Sequence, residues 1–547
     1  MPQDTQLQVK VSTVEVTSAS APVNDTFTRE VGAGGPSRLV RRIVWGALAA
    51  GVLFRLWQYL INRSLWLDEA YLALNLVHRS FAGLLRPLDF DQGAPLAFLW
   101  AEKAVLRLFG NGEYALRLLP LVAGLVSLFL FYRLARRILP PAAVAIAISL
   151  FALSPSLIYY SSEAKQYSLD VAISILIYCA ALRGSRARWS AGKIALFAVL
   201  GAIAIWFSHP AAFVLAAVAA VFTVSLAKRK EWARLARLMP AFLIWGTSLA
   251  ASYFLSLRSL SNNHHLLAYW QAEFMPLPPR SVSDVKWFLD SFFDFFVEAA
   301  GLQFTPLAGF AFLLGGARLL REQGERLALL LAPAALTLVA SGLHQYPFGG
   351  RLTLFLVPAA LLLIAQGIEE VRLAAWDFSP LIPCALIAIL FVDPAVFLAR
   401  HFAEPGTEVD HPGVMAPEEI KPVMAYVRSH RQAGDFIYVF YASEPAVQYY
   451  SELYRQPLPN VILGTASGDD PHAYTADLDR LRGKRVWVVL SHTRGVGKQE
   501  SAFIRFYLDA LGPRVTSFQS PGAATYLYDL TKAPAGVPAG TAATAAK

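Results

Sequence analysis

The sequence predicts a polytopic α-helical membrane protein that carries a C-terminal α/β domain, and three observations predict it. Of the 547 residues 56% are hydrophobic and the mean hydropathy is +0.44, which is too apolar for an ordinary soluble protein. The apolar residues gather in blocks of membrane-crossing length, for which a helix needs about 17 to 25 residues. Beyond residue 400 these blocks give way to short segments that alternate between strand-like and helix-like patterns.

Apolar windows lie near residues 43–62, 118–135, 141–160, 168–183, 193–208, 211–227, 239–257, 303–320, 327–342, 352–368 and 380–398, about eleven spans in all. Alternate connections are basic. Arg38, Arg41 and Arg42 precede the first window, and Arg133, Arg136 and Arg137 follow the second. Arg183, Arg186, Arg188 and Lys193 follow the fourth; Lys228, Arg229, Lys230, Arg234 and Arg237 the sixth; Arg318, Arg321 and Arg326 the eighth. The positive-inside rule makes these loops cytoplasmic. An odd number of spans then carries the C-terminal region, and the loop after the first span, to the other side. The protein is thus expected to be a multi-pass protein of the cell membrane, the bacterial inner membrane, with membrane lipid around it.

The net charge of +9 sits in short loops that set orientation, so no nucleic-acid partner is expected. The two cysteines, Cys179 and Cys384, both lie in apolar runs and support neither a disulfide framework nor a cysteine metal site. Residues 1–36 are polar and precede the first apolar run, which reads as a cytoplasmic tail without a cleavable signal. Four regions follow: a disordered tail over 1–40, a transmembrane domain over 41–399, an extracytoplasmic α/β domain over 400–531, and a disordered tail rich in Ala, Gly, Pro and Thr over 532–547. Within the α/β domain, residues 435–440 and 485–490 read as buried strands and 418–431, 444–454 and 500–511 as helices. It has no Gly-rich phosphate loop, so it is not expected to bind nucleotides.

The chemistry-bearing residues gather on the non-cytoplasmic side. Asp68 and Glu69, in Ser64-Leu65-Trp66-Leu67-Asp68-Glu69-Ala70-Tyr71, follow the first apolar run, where membrane meets water and charge is costly. Desolvation there raises a carboxylate's proton affinity unless a cation or metal offsets it, and Asp68 is the candidate base. The plainer reading is a helix start, where acids suit the positive end of the dipole. Glu163, Lys165 and Tyr167 lie in Tyr159-Tyr160-Ser161-Ser162-Glu163-Ala164-Lys165-Gln166-Tyr167, between the third and fourth windows; a cation there can hold a phosphate. Tyr346 and Arg351 bracket a Pro-Phe-Gly-Gly turn before the tenth window, where a guanidinium offers a planar fork of donors. Arg117 stands at the outer start of the second window and His209 at the outer end of the fifth; interfacial anchoring is the alternative reading of both. The segment 258–302 contains His264, His265 and an aromatic stretch, Trp287 to Phe296, that either covers a cavity or rests on lipid.

Taken in order, Asp68-Glu69, the Gln92 to Leu96 and Phe109-Gly110 spacing, Arg117-Leu118 before Pro120, Glu163 to Tyr167, His209, and Tyr346-Pro347 to Arg351 resemble the GT-C class of membrane glycosyltransferases. The group most similar is family 39-like, the protein mannosyltransferase and aminoarabinose transferase group. The resemblance covers about residues 40 to 400; Lys165 stands where the group more often has Arg, and Ala94-Pro95 where it usually has two prolines. It implies transfer of a sugar from a polyprenyl-phosphate-linked donor to a glycan, lipid or protein acceptor outside the cytoplasm. In that scheme Asp68 is the general base of an inverting displacement. Lys165, Arg351 and Arg117 stabilise the leaving phosphate, and Glu69 and Glu163 orient the acceptor, the cations or a divalent metal ion. A lipid-linked glycan transporter and a noncatalytic membrane scaffold are the alternatives from other classes. A transporter would be expected to carry its charges at the bilayer midplane and to show a repeat, whereas here the charges gather at one face.

Overall fold

The computed structural model describes residues 37–186, 190–403, 411–466, 470–493 and 496–532. Of the two tails, residues 1–36 and 533–547 lie outside the described residues, as does Arg188 of the basic loops. The helical part runs α1 (Arg38–Leu60), α2 (Leu67–His78), α3 (Leu96–Phe109), α4 (Leu118–Ile138), α5 (Pro141–Leu153), α6 (Tyr167–Arg186), α7 (Ala191–Phe207), α8 (Ala211–Lys228), α9 (Trp232–Ser252), α10 (Val282–Asp294), α11 (Thr305–Gly342), α12 (Val357–Ala375) and α13 (Leu381–Ala403). The prolines at the starts of α5, α11 and α12 fit the first turn, where a missing N–H leaves no bond unmade.

Six described helices are long and apolar enough to cross a membrane, and seven if α5 and Pro155–Ser162, bent by 54°, count as one broken span. The expected count of about eleven is not reached, for visible reasons. The windows near 303–320 and 327–342 share α11, a 38-residue helix broken at Gln323, where φ is −146° and ψ 51°. The first window sits in α1, which contains four arginines; the fourth in α6, which contains Asp170, Arg183 and Arg186; the fifth in α7, which has only 17 residues. An ion pair of 2.5 Å between Arg229 and Glu325 ties the basic end of α8 to the break in α11.

The tightest helix contact is α11 on α12. A Cβ at Gly315 would overlap the Leu363 carbonyl, and one at Gly367 the Ala311 carbonyl, so the two backbones touch where neither chain has a side chain. Most of α12, up to Glu369, is buried, and with α4, α5, α6, α8 and α11 it forms the main apolar core.

The C-terminal part is α14 (Ile420–His430), β1 (Phe436–Val439), α15 (Glu444–Leu453), β2 (Val461–Leu463), α16 (Pro471–Asp479), β3 (Arg485–Ser491), α17 (Val496–Leu511), β4 (Arg514–Ser520) and β5 (Ala523–Asp529). The strands form one sheet in the order β2-β1-β3-β5-β4. β1 runs parallel to β2 and β3, while β5 is antiparallel to β3 and β4. Alternation along the strands assigns the two faces. Tyr438, Val486, Val488 and Leu490 enter a core built from this part of the chain, against which Leu67 of α2 also packs. Ile437, Val439, Trp487 and Val489 enter a core shared with Leu72, Leu76, Phe98 and Leu99 of α2 and α3. The sheet is thereby packed, through α14 and α15, onto the helix that carries Asp68.

Candidate active site

The site grows from the start of α2. Trp66 occupies its N-cap and its indole has no acceptor, so the N–H groups entering the helix need partners from elsewhere. Glu69 accepts from Trp66 N–H at 3.4 Å. The remaining acceptors come from the C-terminal part. Glu419 accepts from the Ser64 N–H at 3.1 Å and the Ser64 hydroxyl at 2.8 Å. The Tyr450 hydroxyl accepts from Leu65 N–H at 2.7 Å, and Glu418 from Leu67 N–H at 3.2 Å. Lys421 donates to the Asn62 carbonyl at 2.7 Å and to Glu113 at 2.8 Å. The far end of the sequence thus holds the backbone from which Asp68 projects.

Asp68 and Glu69 point to different partners, as adjacent helical residues about 100° apart must. The Asp68 carboxylate meets the Arg351 guanidinium at 2.5 Å, with the two side chains 20% and 9% exposed. Burial works to raise the Asp68 pKa, but Arg351 and Lys165 outweigh it and hold the carboxyl below its ordinary value. Arg351 lies over the rings of Trp66 at 5.1 Å, Tyr167 at 5.8 Å and Trp270 at 5.8 Å, and its Nε has no protein partner. Its guanidinium is therefore oriented by π faces, with donor capacity left over.

Glu69 is fully buried and braced. It accepts from Arg117 Nε at 2.9 Å, from a terminal Arg117 nitrogen at 2.7 Å, and from Ala164 N–H at 2.8 Å; Arg63 stands 3.7 Å away. The other Arg117 donors go to the Arg63 carbonyl at 2.7 Å and the Ser64 carbonyl at 3.3 Å. This bidentate pair ties the start of α4 to the Asp68 loop, and it leaves Arg117 few donors for a ligand. Burial raises the Glu69 pKa and Arg117 and Arg63 outweigh it, so the net direction is downward.

Lys165 donates to the Gln92 side chain at 2.5 Å, which links the segment after α5 to the turn before α3. Burial lowers its pKa, only partly countered by Asp68 and Glu163. Glu163 is wholly buried, and neither carboxylate oxygen has a hydrogen-bond partner. Burial and then the charge of Glu69 push it up to about 7, against Arg351, Arg63 and Lys165. A buried acid in this state holds its proton near neutrality and can donate it.

Asp68, Glu69, Arg117, Glu163, Lys165, Tyr167 and Arg351 are thus joined by contacts or direct charge interactions. His209 stands apart, and Tyr346 reaches the cluster only through Tyr167. Tyr346 donates to the Leu352 carbonyl at 2.9 Å and packs on Phe213, shaping the turn that carries Arg351. His209 has a buried Nε2 without a partner, and burial lowers its pKa to about 4. Among the described residues no three His, Cys, Asp or Glu side chains gather as a metal site. Asp68 and Glu69 are each engaged by a guanidinium.

Sequence reasoning passed over Arg63, Trp66, Trp270, Glu418, Glu419 and Tyr450. Arg63 and Trp66 flank the acidic pair in sequence and carry the signal of proximity alone. Trp270 shows what part of the segment 258–302 does, since it covers the guanidinium.

Residues 93–263 match the family described as dolichyl-phosphate-mannose-protein mannosyltransferase. That stretch holds Arg117, Glu163, Lys165, Tyr167 and His209, and leaves Asp68, Glu69, Tyr346 and Arg351 outside. Among curated proteins none matches the chain. ArnT from Cupriavidus metallidurans is similar in structure. In its undecaprenyl phosphate-bound form the TM-score is 0.51 at 14% identity, covering 90% of this chain and 99% of that one. In its apo form the values are 0.50, 12%, 91% and 99%. The chain is thus similar in fold to ArnT along nearly its whole length, and over residues 93–263 it matches the dolichyl-phosphate-mannose-protein mannosyltransferase family.

Proposed function

We propose that this protein transfers a sugar from a polyprenyl-phosphate-linked donor to an acceptor hydroxyl on the extracytoplasmic side of the membrane, with Asp68 as the general base. The observation that carries the reading is the Asp68–Arg351 pair at 2.5 Å, with Lys165 beside it acting on the same carboxylate. The similar ArnT structure was obtained bound to undecaprenyl phosphate, and the family match names a dolichyl-phosphate sugar chemistry. Both support a lipid phosphate as the group that Arg351 and Lys165 receive.

A carboxylate paired with arginine is a weak base, so the resting pair has to open before chemistry. An incoming phosphate competes for the guanidinium, whose Nε has no protein partner. Once Arg351 turns to the phosphate, the charge that depressed Asp68 is withdrawn and its proton affinity rises. Asp68 then takes the proton as the acceptor oxygen attacks the anomeric carbon. The bond to the lipid phosphate breaks on the opposite face, the sugar inverts, and Arg351 and Lys165 stabilise the second negative charge that the phosphate gains. Glu69 and Arg117 hold the loop in place without touching the reacting atoms.

One observation favours a second reading. Glu163 has two unpartnered oxygens and a pKa near 7, which suits proton transfer near neutrality. In that reading Glu163 shuttles the proton and Asp68 only orients Arg351.

Asp68→Asn separates the two. It keeps size and hydrogen-bonding capacity and removes the basic lone pair. We expect turnover to fall by about 10² to 10⁴, read by mass spectrometry of envelope glycolipids and glycoproteins, with thermal stability and undecaprenyl phosphate binding retained by the purified protein. Transfer near the wild-type rate would remove Asp68 as the base and leave Glu163.

A further inference from the structure

A groove with a volume of about 870 Å³ opens between α6 and α7; at Leu169 one end adjoins the apolar cluster around α2, and at Arg183 and Lys193 the other reaches the opposite ends of both helices. Its walls are two apolar ridges at helical spacing, Leu169, Ile173 and Leu176 on α6 and Leu196, Leu200 and Ile203 on α7. Such ridges ordinarily interdigitate, with helix axes 8–10 Å apart. Here they do not close: Leu176, Leu196, Leu200 and Ile203 remain 46–59% exposed. In a bilayer no water fills that space, and the volume lies within the range of about 300–1,000 Å³ typical of ligand pockets.

Four cations from four separate segments line the same groove: Arg137 in the last turn of α4, Arg183 in the last turns of α6, Lys193 in the first turn of α7, and Arg326 just past the break in α11. Arg137 is pinned there by donating to the Cys179 carbonyl at 2.7 Å, and Arg326 bonds the Gln323 side chain. Among the described residues none of the four forms an ion pair with a carboxylate. The basic-loop pattern alone asks only for cations near loops; it does not ask four segments to converge on one apolar cleft. That pattern also makes this the cytoplasmic end, whereas α6 starts at Tyr167, beside Arg351 on the opposite side.

We propose that this groove is a binding site for an anionic phospholipid, with its acyl chains along the α6 and α7 ridges and its phosphate among Arg137, Arg183, Lys193 and Arg326. Basic pockets between membrane helices on the cytoplasmic side suit anionic lipid headgroups, and each Lys or Arg near the surface adds to the attraction. The site does not rest on the sugar-transfer reading, because its phosphate end lies at the other membrane face from Asp68.

The test is native mass spectrometry of the purified full chain, released from bilayers of phosphatidylcholine containing phosphatidylglycerol. The wild type is expected to retain phosphatidylglycerol in preference to phosphatidylcholine. Arg183→Gln with Lys193→Gln should lower that retention about tenfold or more. Leu200→Trp, which fills the groove and leaves the charges, should lower retention of both lipids. Thermal stability measured beside each variant shows that it is folded. Equal retention of the two lipids by the wild type, retention unchanged in both variants, or displacement of phosphatidylglycerol by inorganic phosphate alone or by stoichiometric undecaprenyl phosphate would each overturn the proposal.

Discussion

Two neighbouring carboxylates acquire different work from their surroundings. Asp68 faces a guanidinium that lies against three aromatic rings and keeps an unpartnered Nε, whereas Glu69 faces one locked by two carbonyls and a bidentate contact. Glu69→Gln removes one partner of a buried pair, which typically costs about 3–5 kcal/mol. The expected outcome is a lowered melting temperature of the purified protein, by more than for Asp68→Asn, whose carboxylate is 20% exposed where that of Glu69 is fully buried. Arg351→Ala should lower turnover about 10²-fold or more, the scale for losing one preorganised charge stabiliser. Near wild-type kinetics would take Arg351 out of the reaction. Glu163 gives a pH signature. Its folded pKa of about 7 exceeds an ordinary glutamate value, so between roughly pH 4.5 and 7 the folded state holds a proton that the unfolded state has lost. Stability from this group is therefore present at low pH and declines as pH rises through that window. Glu163→Gln should flatten the decline in melting temperature, and an unchanged slope would mean that Glu163 is ionised in the fold.

At the scale of elements, α2 is a helix whose start is satisfied from far along the chain. Its own sequence offers Trp66 at the N-cap, and the acceptors that Trp66 lacks are Glu418, Glu419 and Tyr450. The C-terminal sheet therefore does structural work for the membrane part of the protein. Hydrogen bonds to a charged acceptor are worth about 1.5–3 kcal/mol. Glu419→Gln should speed amide exchange at Ser64 about tenfold or more, with the sheet's own exchange unaltered. Unchanged protection of the 64–67 segment would show that the loop holds its shape without the clamp. The broken α11 shows a second element-level effect: an apolar count sees two windows, and the chain runs nearly continuously through both, turning only at Gln323.

For the molecule as a whole, the positive-inside rule applied to the basic loops predicts that the cluster of Asp68, Lys165 and Arg351 faces the extracytoplasmic side. Reporters fused after Leu139 or Arg229 should read as cytoplasmic, and those after Ser261 or Gly413 as extracytoplasmic. A cytoplasmic signal from the Gly413 fusion would put the sheet on the wrong side for a shared site. The sheet's packing on α2 and α3 means that the two parts must lie on one side together, so this single fusion tests both.

What the sequence determined by itself was whatever depends on composition and local pattern. Apolar blocks, basic loops and strand-like runs are read along the chain, because membrane insertion and secondary structure respond to neighbours in sequence. The ordered motifs from Asp68 to Arg351 likewise gave the GT-C, family 39-like resemblance. β2, β4 and β5 were missed: β2 has only three residues, and β4 is largely exposed and polar. Only the tertiary structure decided which carboxylate faces Arg351 and which is braced by Arg117. Arg351 lies 283 positions from Asp68, and Glu419 lies 355 from Ser64. Nothing local in a sequence encodes such pairings; they arise when burial leaves each charge and each helix-end N–H needing a partner, and packing supplies one from a distant segment.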